Sequence, residues 1–141
     1  NKGEEEKPLL KIASGGELSR VMLAITRILT QNSLIGVYVF DEVDAGIGGD
    51  TGKIIGEKLK QVGLNHQVIC ITHLPQVAVF GHNHLIIEKK EVNKRTVSQI
   101  KTLDSPEEKV LEIARMLGGD LAKSESKKHA QAMIAEASKI K

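Results

Sequence analysis

Val37-Tyr38-Val39-Phe40-Asp41-Glu42 is the stretch on which the architecture turns. Four consecutive apolar residues, β-branched or aromatic, predict a short strand buried on both faces, and the two acids close it. After the glycine-rich stretch from Gly46 to Gly52, Ile55, Leu59 and Val62 recur at helical spacing and Gly63 supplies a stop. Val68 to Thr72 then predicts a second buried strand. Strand, helix and strand at this spacing make a βαβ unit, whose strands run parallel and whose crossover is right-handed. Ligands gather beyond the C-terminal ends of such strands. Asp41, Glu42 and His73 all fall there.

Upstream of this unit, Leu18, Val21, Met22, Ile25, Ile28 and Leu29 follow helical spacing up to Asn32-Ser33. Residues 1–8, ending Glu4-Glu5-Glu6-Lys7-Pro8, are expected to be a flexible, solvated lead-in, with the ordered domain starting near Leu9. Downstream, Leu85 to Glu88 and Thr96 to Leu103 predict two strands joined by a turn at Asn93-Lys94, forming a hairpin at the sheet edge. Ser105-Pro106-Glu107-Glu108 has the makings of a capped helix start, with Gly118-Gly119 as its stop, and a last helix carries Ala130, Met133, Ile134 and Ala137 on one face. The predicted class is α/β, with parallel strands, flanking helices and an edge hairpin.

Composition excludes several functions. The chain has 141 residues, enough for one domain, with 40% apolar and 27% charged residues. No apolar run approaches the ~20 residues of a membrane helix, so no membrane role is expected. The single cysteine, Cys70, rules out a disulfide framework and reads as a buried structural thiol. Lys and Arg number 20 against 18 Asp and Glu, too balanced for a dedicated DNA-binding module, and 2% aromatics argue against single-strand stacking. Because it opens on Asn1 rather than Met, the chain is expected to be an excised fragment.

Three motifs carry chemistry. Ala13-Ser14-Gly15-Gly16-Glu17-Leu18-Ser19-Arg20 stands at the start of the long helix. Ser14 and Glu17 have capping-box spacing, which any helix can use. Two glycines in a first turn cost about 1 kcal/mol each against alanine, a choice that suits an anion approaching bare amides. Asp41 and Glu42 can divide labour, one holding magnesium through its waters and the other facing a nucleophilic water, although a solvated strand end is the plain alternative. His73, after the second strand, can contact a terminal phosphate or be an ordinary loop histidine. His66, His82, His84 and His129 read as surface residues, and His82 with His84 lacks a third metal ligand. Gly46 to Lys53 imitates a phosphate-binding loop, but five residues separate Gly46 from Gly52 and Ile54 follows the lysine, so the G-x-x-x-x-G-K-[ST] pattern is absent.

In this order the elements resemble the second half of an ABC ATPase. Ser14-Gly15-Gly16-Glu17 resembles the signature motif, the run from Val37 to Glu42 the Walker B strand, Asp44 to Gly49 the D-loop region, and His73 the switch histidine. The variants at 13–20, 41–49 and 72–78, with Arg115-Met116-Leu117-Gly118-Gly119, resemble the RecN family, bacterial relatives of the SMC proteins.

That resemblance implies a partial P-loop NTPase fold, the C-terminal half of an ABC-type head spanning 1–141. It implies that an N-terminal Walker A segment of the same protein completes the head, and that a second head forms a homodimer around ATP and Mg2+. Ser14, Gly15, Gly16 and Glu17 would then meet ATP in trans, Asp41 would hold magnesium through water, Glu42 would be the catalytic base, His73 would sense the γ-phosphate, and Asp44 would line the dimer seam. The intact protein would be an ATPase for double-strand-break repair and recombination, contacting DNA through its backbone, in the bacterial cytoplasm at the nucleoid. The fragment alone would be inactive. Two rivals stand beside this: an ATPase of another SMC-like or transporter system, and a non-catalytic dimerisation scaffold.

Overall fold

A computed structural model describes residues 13–29, 34–92, 95–118 and 124–140. The lead-in at 1–8, the domain start near Leu9, the helix stop at Asn32-Ser33, the turn at Asn93-Lys94 and Gly119 lie outside the described residues. The chain divides into two compact units, one ending at His73 and the other beginning at Leu74. Among the described residues, no helix is long and apolar enough to cross a membrane.

The first unit runs α1 (Gly15–Leu29), β1 (Val37–Phe40), α2 (Gly49–Gly63) and β2 (Gln67–Cys70). β1 and β2 are parallel neighbours, with Val37 opposite Gln67 and Phe40 opposite Cys70, as the βαβ reading requires. α2 buries Gly52, Ile55, Gly56, Leu59 and Val62, the stripe that periodicity marks out. Leu23, Phe40 and Val43 are buried as well. Each such side chain contributes about 1.5–3 kcal/mol by leaving water.

One expectation about burial is corrected here. β1 is covered on one face only: Phe40 is buried and Tyr38 half-buried, while Val37 and Val39 are exposed, Val39 to 64%. Ile69 and Ile71 extend the same open surface, although parallel sheets normally have both faces covered. On α1 the apolar stripe is also uncovered: Val21, Met22, Ile25 and Ile28 are exposed, and the helix packs on α2 while burying Leu23 and Thr26. Periodicity identified the apolar face, but no described residue covers it.

The second unit comprises α3 (Pro75–Ala78), β3 (His84–Val92), β4 (Arg95–Leu103), α4 (Pro106–Met116) and α5 (Ser124–Ser138). β3 and β4 pair antiparallel in continuous register from His84 opposite Leu103 to Val92 opposite Arg95. They form a two-stranded sheet of their own, so the hairpin does not extend the edge of the parallel pair. Ser105 caps α4 in the predicted manner: its hydroxyl accepts from Glu108 N (3.1 Å), and Glu108 Oε2 accepts from Ser105 N (3.3 Å). Lys101 Nζ donates to Glu108 Oε1 at 2.7 Å and holds that carboxyl below its ordinary pKa. Val79, Phe80, Ile113, Ala114, Ala130 and Ala137 form one buried cluster, lined further by Val110, Met133 and Ile134.

Candidate functional site

Beyond the C-terminal ends of β1 and β2 the chain turns sharply. Ile71 N donates to Phe40 O (3.0 Å), which continues the parallel ladder and carries Thr72 and His73 alongside residues 41–44. The turn after β1 alternates between solvent and core: Asp41 and Glu42 are exposed, Val43 is buried, and Asp44 is 2% exposed. Ala45 N closes it by donating to Glu42 O (3.0 Å). Glu42 has φ +55°, the one positive φ outside glycine among the described residues. A non-glycine residue there is uncommon, and such strain persists only where surrounding contacts over-determine it.

Those contacts come from α1. Ser19 Oγ donates to Asp41 O (2.7 Å), and Arg20 Nη1 donates to Ala45 O (2.9 Å) and Val43 O (3.3 Å). The two glycines permit the close approach. A Cβ on Gly16 would lie 2.8 Å from both Ala45 Cβ and Glu42 O, and one on Gly15 would lie 3.0 Å from Glu42 Oε2. Sequence reasoning took the glycines as room for an anion at bare amides. The structure gives Gly16 an internal reason, the passage of the strand-end turn against the helix, and brings the Glu42 carboxylate to Gly15.

Ser14 and Glu17 form the capping box that their spacing allows. Ser14 N donates to Glu17 Oε2 (2.8 Å), Ser14 Oγ donates to the same oxygen (3.0 Å), and Glu17 N donates back to Ser14 Oγ (3.3 Å). The bonds from Ser14, backbone first and hydroxyl second, hold the Glu17 carboxyl below its usual pKa. Both residues are exposed, at the same end of the unit as Asp41 and Glu42.

Asp44, expected at a dimer seam, is turned into its own unit. Its Oδ2 accepts from Thr72 Oγ1 (2.5 Å) and His73 N (3.1 Å), and His73 Nδ1 lies 3.3 Å away. The His73 side chain is itself 72% exposed. Below this network, burial pushes the Cys70 thiol up to about 12, with the negative charges of Asp44 and Asp41 adding to it, so it stays a thiol at neutral pH.

Every site residue predicted from sequence thus lies in the first unit, on three segments that meet at one end. Ser19, Arg20 and Thr72 were missed as positioning groups. Their signal was adjacency to the motifs, with polar side chains at partly buried positions. Two histidines read as surface residues are half-buried: His66 Nδ1 contacts Ile35 O (2.8 Å) and its ring meets Tyr38 edge-on, while burial lowers the pKa of His84. Among the described residues no group of three or more His, Cys, Asp or Glu could hold a metal ion unaided.

No family model matches the chain. It is 45% identical over all 141 residues to the DNA repair protein RecN of Halalkalibacterium halodurans, covering 25% of that protein. The RecN of Bacillus subtilis is also 45% identical over 141 residues, with 24% of its length covered. That of Xylella fastidiosa is 53% identical over 119 residues, 84% of this chain and 21% of the relative. The chain therefore spans about a quarter of the length of the curated relatives it matches. Its motifs and its similarity agree: over its whole length the chain is similar to the RecN DNA repair proteins and corresponds to their C-terminal part.

Proposed function

We propose that this chain is the C-terminal half of an ABC-type ATPase head, which in the intact protein couples ATP binding to head association and hydrolysis to release. The observation that carries this reading is the meeting of the α1 start, the Asp41-Glu42 strand end and His73 at one end of a parallel pair, in a sequence without a phosphate loop. Three parts of a nucleotide site are together, and the part that cradles phosphates must come from elsewhere. The open faces of β1/β2 and α1 support a second segment that completes the head, since exposed apolar surface of this extent marks an interaction site.

The donor set fits magnesium and ATP. Magnesium keeps most of its water shell and takes one or two carboxylates plus phosphate oxygens, and an exposed acid such as Asp41 suits that share. Bound MgATP supplies the phosphoryl group that is transferred to water. Asp41 would hold the ion, and Glu42 would take the proton of the attacking water. His73 contacts the terminal phosphate. Ser14, Gly15 and Gly16 present the start of α1 to the nucleotide of a second head, and Glu17 secures that turn. DNA repair, the function in the relatives' name, is the setting we assign to the intact protein, with backbone contacts to DNA and a place at the bacterial nucleoid.

One observation favours a second reading: the Ser14 hydroxyl is engaged by Glu17, as in a purely structural cap, which suits a dimerisation scaffold without hydrolysis. Reconstitution separates the two. The chain mixed with the segment carrying the phosphate loop should hydrolyse ATP, and Glu42→Gln should lower turnover by roughly a hundredfold or more while ATP-dependent dimers persist in sedimentation. Unchanged turnover in Glu42→Gln would remove Glu42 as the base, and ATP-dependent dimers without any hydrolysis would favour the scaffold.

A further inference from the structure

We infer that Asp44 is the positioning residue for His73, holding its imidazole in the Nδ1–H tautomer with Nε2 left to act. Its consequence for turnover rests on the ATPase reading above; its geometry does not. A carboxylate that is 2% exposed is costly unless hydrogen bonds satisfy it. Asp44 meets that need with neighbours distant in sequence, 28 and 29 residues along the chain: the Thr72 hydroxyl and the His73 backbone N–H both donate to Oδ2. With these two bonds the carboxylate fixes the backbone at residues 72–73, and with it the point from which the imidazole projects.

The same oxygen lies 3.3 Å from His73 Nδ1. An ionised carboxylate only accepts, so a neutral imidazole with Nδ1 this close is favoured with its proton on Nδ1. Nε2 then carries the lone pair, on a side chain that is 72% exposed while its anchor is buried. This is the arrangement in which a buried aspartate orients a histidine without itself taking the proton. Asp44 therefore acts through His73, and its burial follows from that task rather than from a place on a surface between heads.

The test reads the tautomer directly. The histidine-15N-labelled chain is studied at about pH 8.5, where an ordinary imidazole is neutral, and the His73 ring signals are assigned by their loss in His73→Gln. The wild type should show the Nδ1–H form. Asp44→Asn, which can donate from its amide, should move His73 towards Nε2–H, whereas Thr72→Val, which leaves the carboxylate beside the ring, should keep Nδ1–H. A wild-type His73 in the Nε2–H form, or an unaltered tautomer in folded Asp44→Asn, overturns the proposal. Should Asp44→Asn not fold, the wild-type and Thr72→Val spectra still decide it. In the reconstituted complex, Asp44→Asn should lower kcat on the order of tenfold or more with little change in KM for ATP. Absence of ATPase activity in the wild-type complex would remove the proposed function and leave the tautomer result standing.

Discussion

In residues 74–141, α4 and α5 close over Phe80 and Ile113, and Ile113 is fully buried. In residues 13–73, the apolar stripe of α1 and one face of β1/β2 stand open, although that unit holds every candidate site residue. The first unit has also accepted backbone strain at Glu42 and a helix start pressed against a turn with no room for a side chain. The second spends its polar groups on local devices, such as the reciprocal cap of Ser105 and Glu108. Among its described residues the second unit leaves apolar surface open only on its hairpin, at Leu85, Ile87, Val97 and Ile100, and at Leu111, and it carries no candidate site residue. In the first unit open apolar surface and candidate site residues occur together, which is what the proposed second segment would use.

Three substitutions test that contrast, in falling order of effect. Ile113→Ala, in the closed core, should destabilise the chain by about 2–5 kcal/mol, read from the helical circular dichroism signal in denaturant. A loss of only a few tenths would mean that the second unit is not tightly packed. Gly16→Ala gains about 1 kcal/mol of helix propensity but sets a methyl 2.8 Å from Ala45 Cβ and Glu42 O, so a net loss of about 1–2 kcal/mol is expected. Tyr38 is the only tyrosine and there is no tryptophan, so its fluorescence follows the first unit alone. Stabilisation by Gly16→Ala would show that the helix start and the turn are not in contact. Val39→Thr, on the open sheet face, should leave the stability of the isolated chain within about 0.5 kcal/mol. Its effect should appear instead as roughly tenfold weaker binding of the phosphate-loop segment, measured by calorimetry.

What the sequence made legible was local or periodic. The βαβ unit followed from two apolar runs around the stripe of Ile55, Leu59 and Val62, and the cap of α4 from four consecutive residues. The stripe Val21, Met22, Ile25 and Ile28 was legible as apolar but not as uncovered, because periodicity does not say whether the partner lies in the same chain. The glycines at 15 and 16 announced a close approach, read as that of an anion, and not the strand-end turn that lies against Gly16. Resemblance alone assigned Asp44, to a dimer seam, and the long-range bonds it takes from Thr72 and His73 were not legible in the sequence. The short helix α3 was not foreseen, since four residues carry no periodicity. The hairpin strands were found but not their separateness, which depends on pairing between distant segments.

The central claim is that the start of α1 serves a nucleotide held by another copy of the protein, and mixing two defective full-length proteins tests it most directly. One carries Ser14→Arg; the other carries a substitution of the phosphate-loop lysine. Each should be inactive alone. Mixed in equal amounts, they should recover ATP hydrolysis, about a quarter of the wild-type rate if two-fold dimers form at random, because one composite site joins an intact α1 start to an intact phosphate loop. Full activity of Ser14→Arg by itself, or no recovery in mixtures shown to contain mixed dimers, would contradict the account.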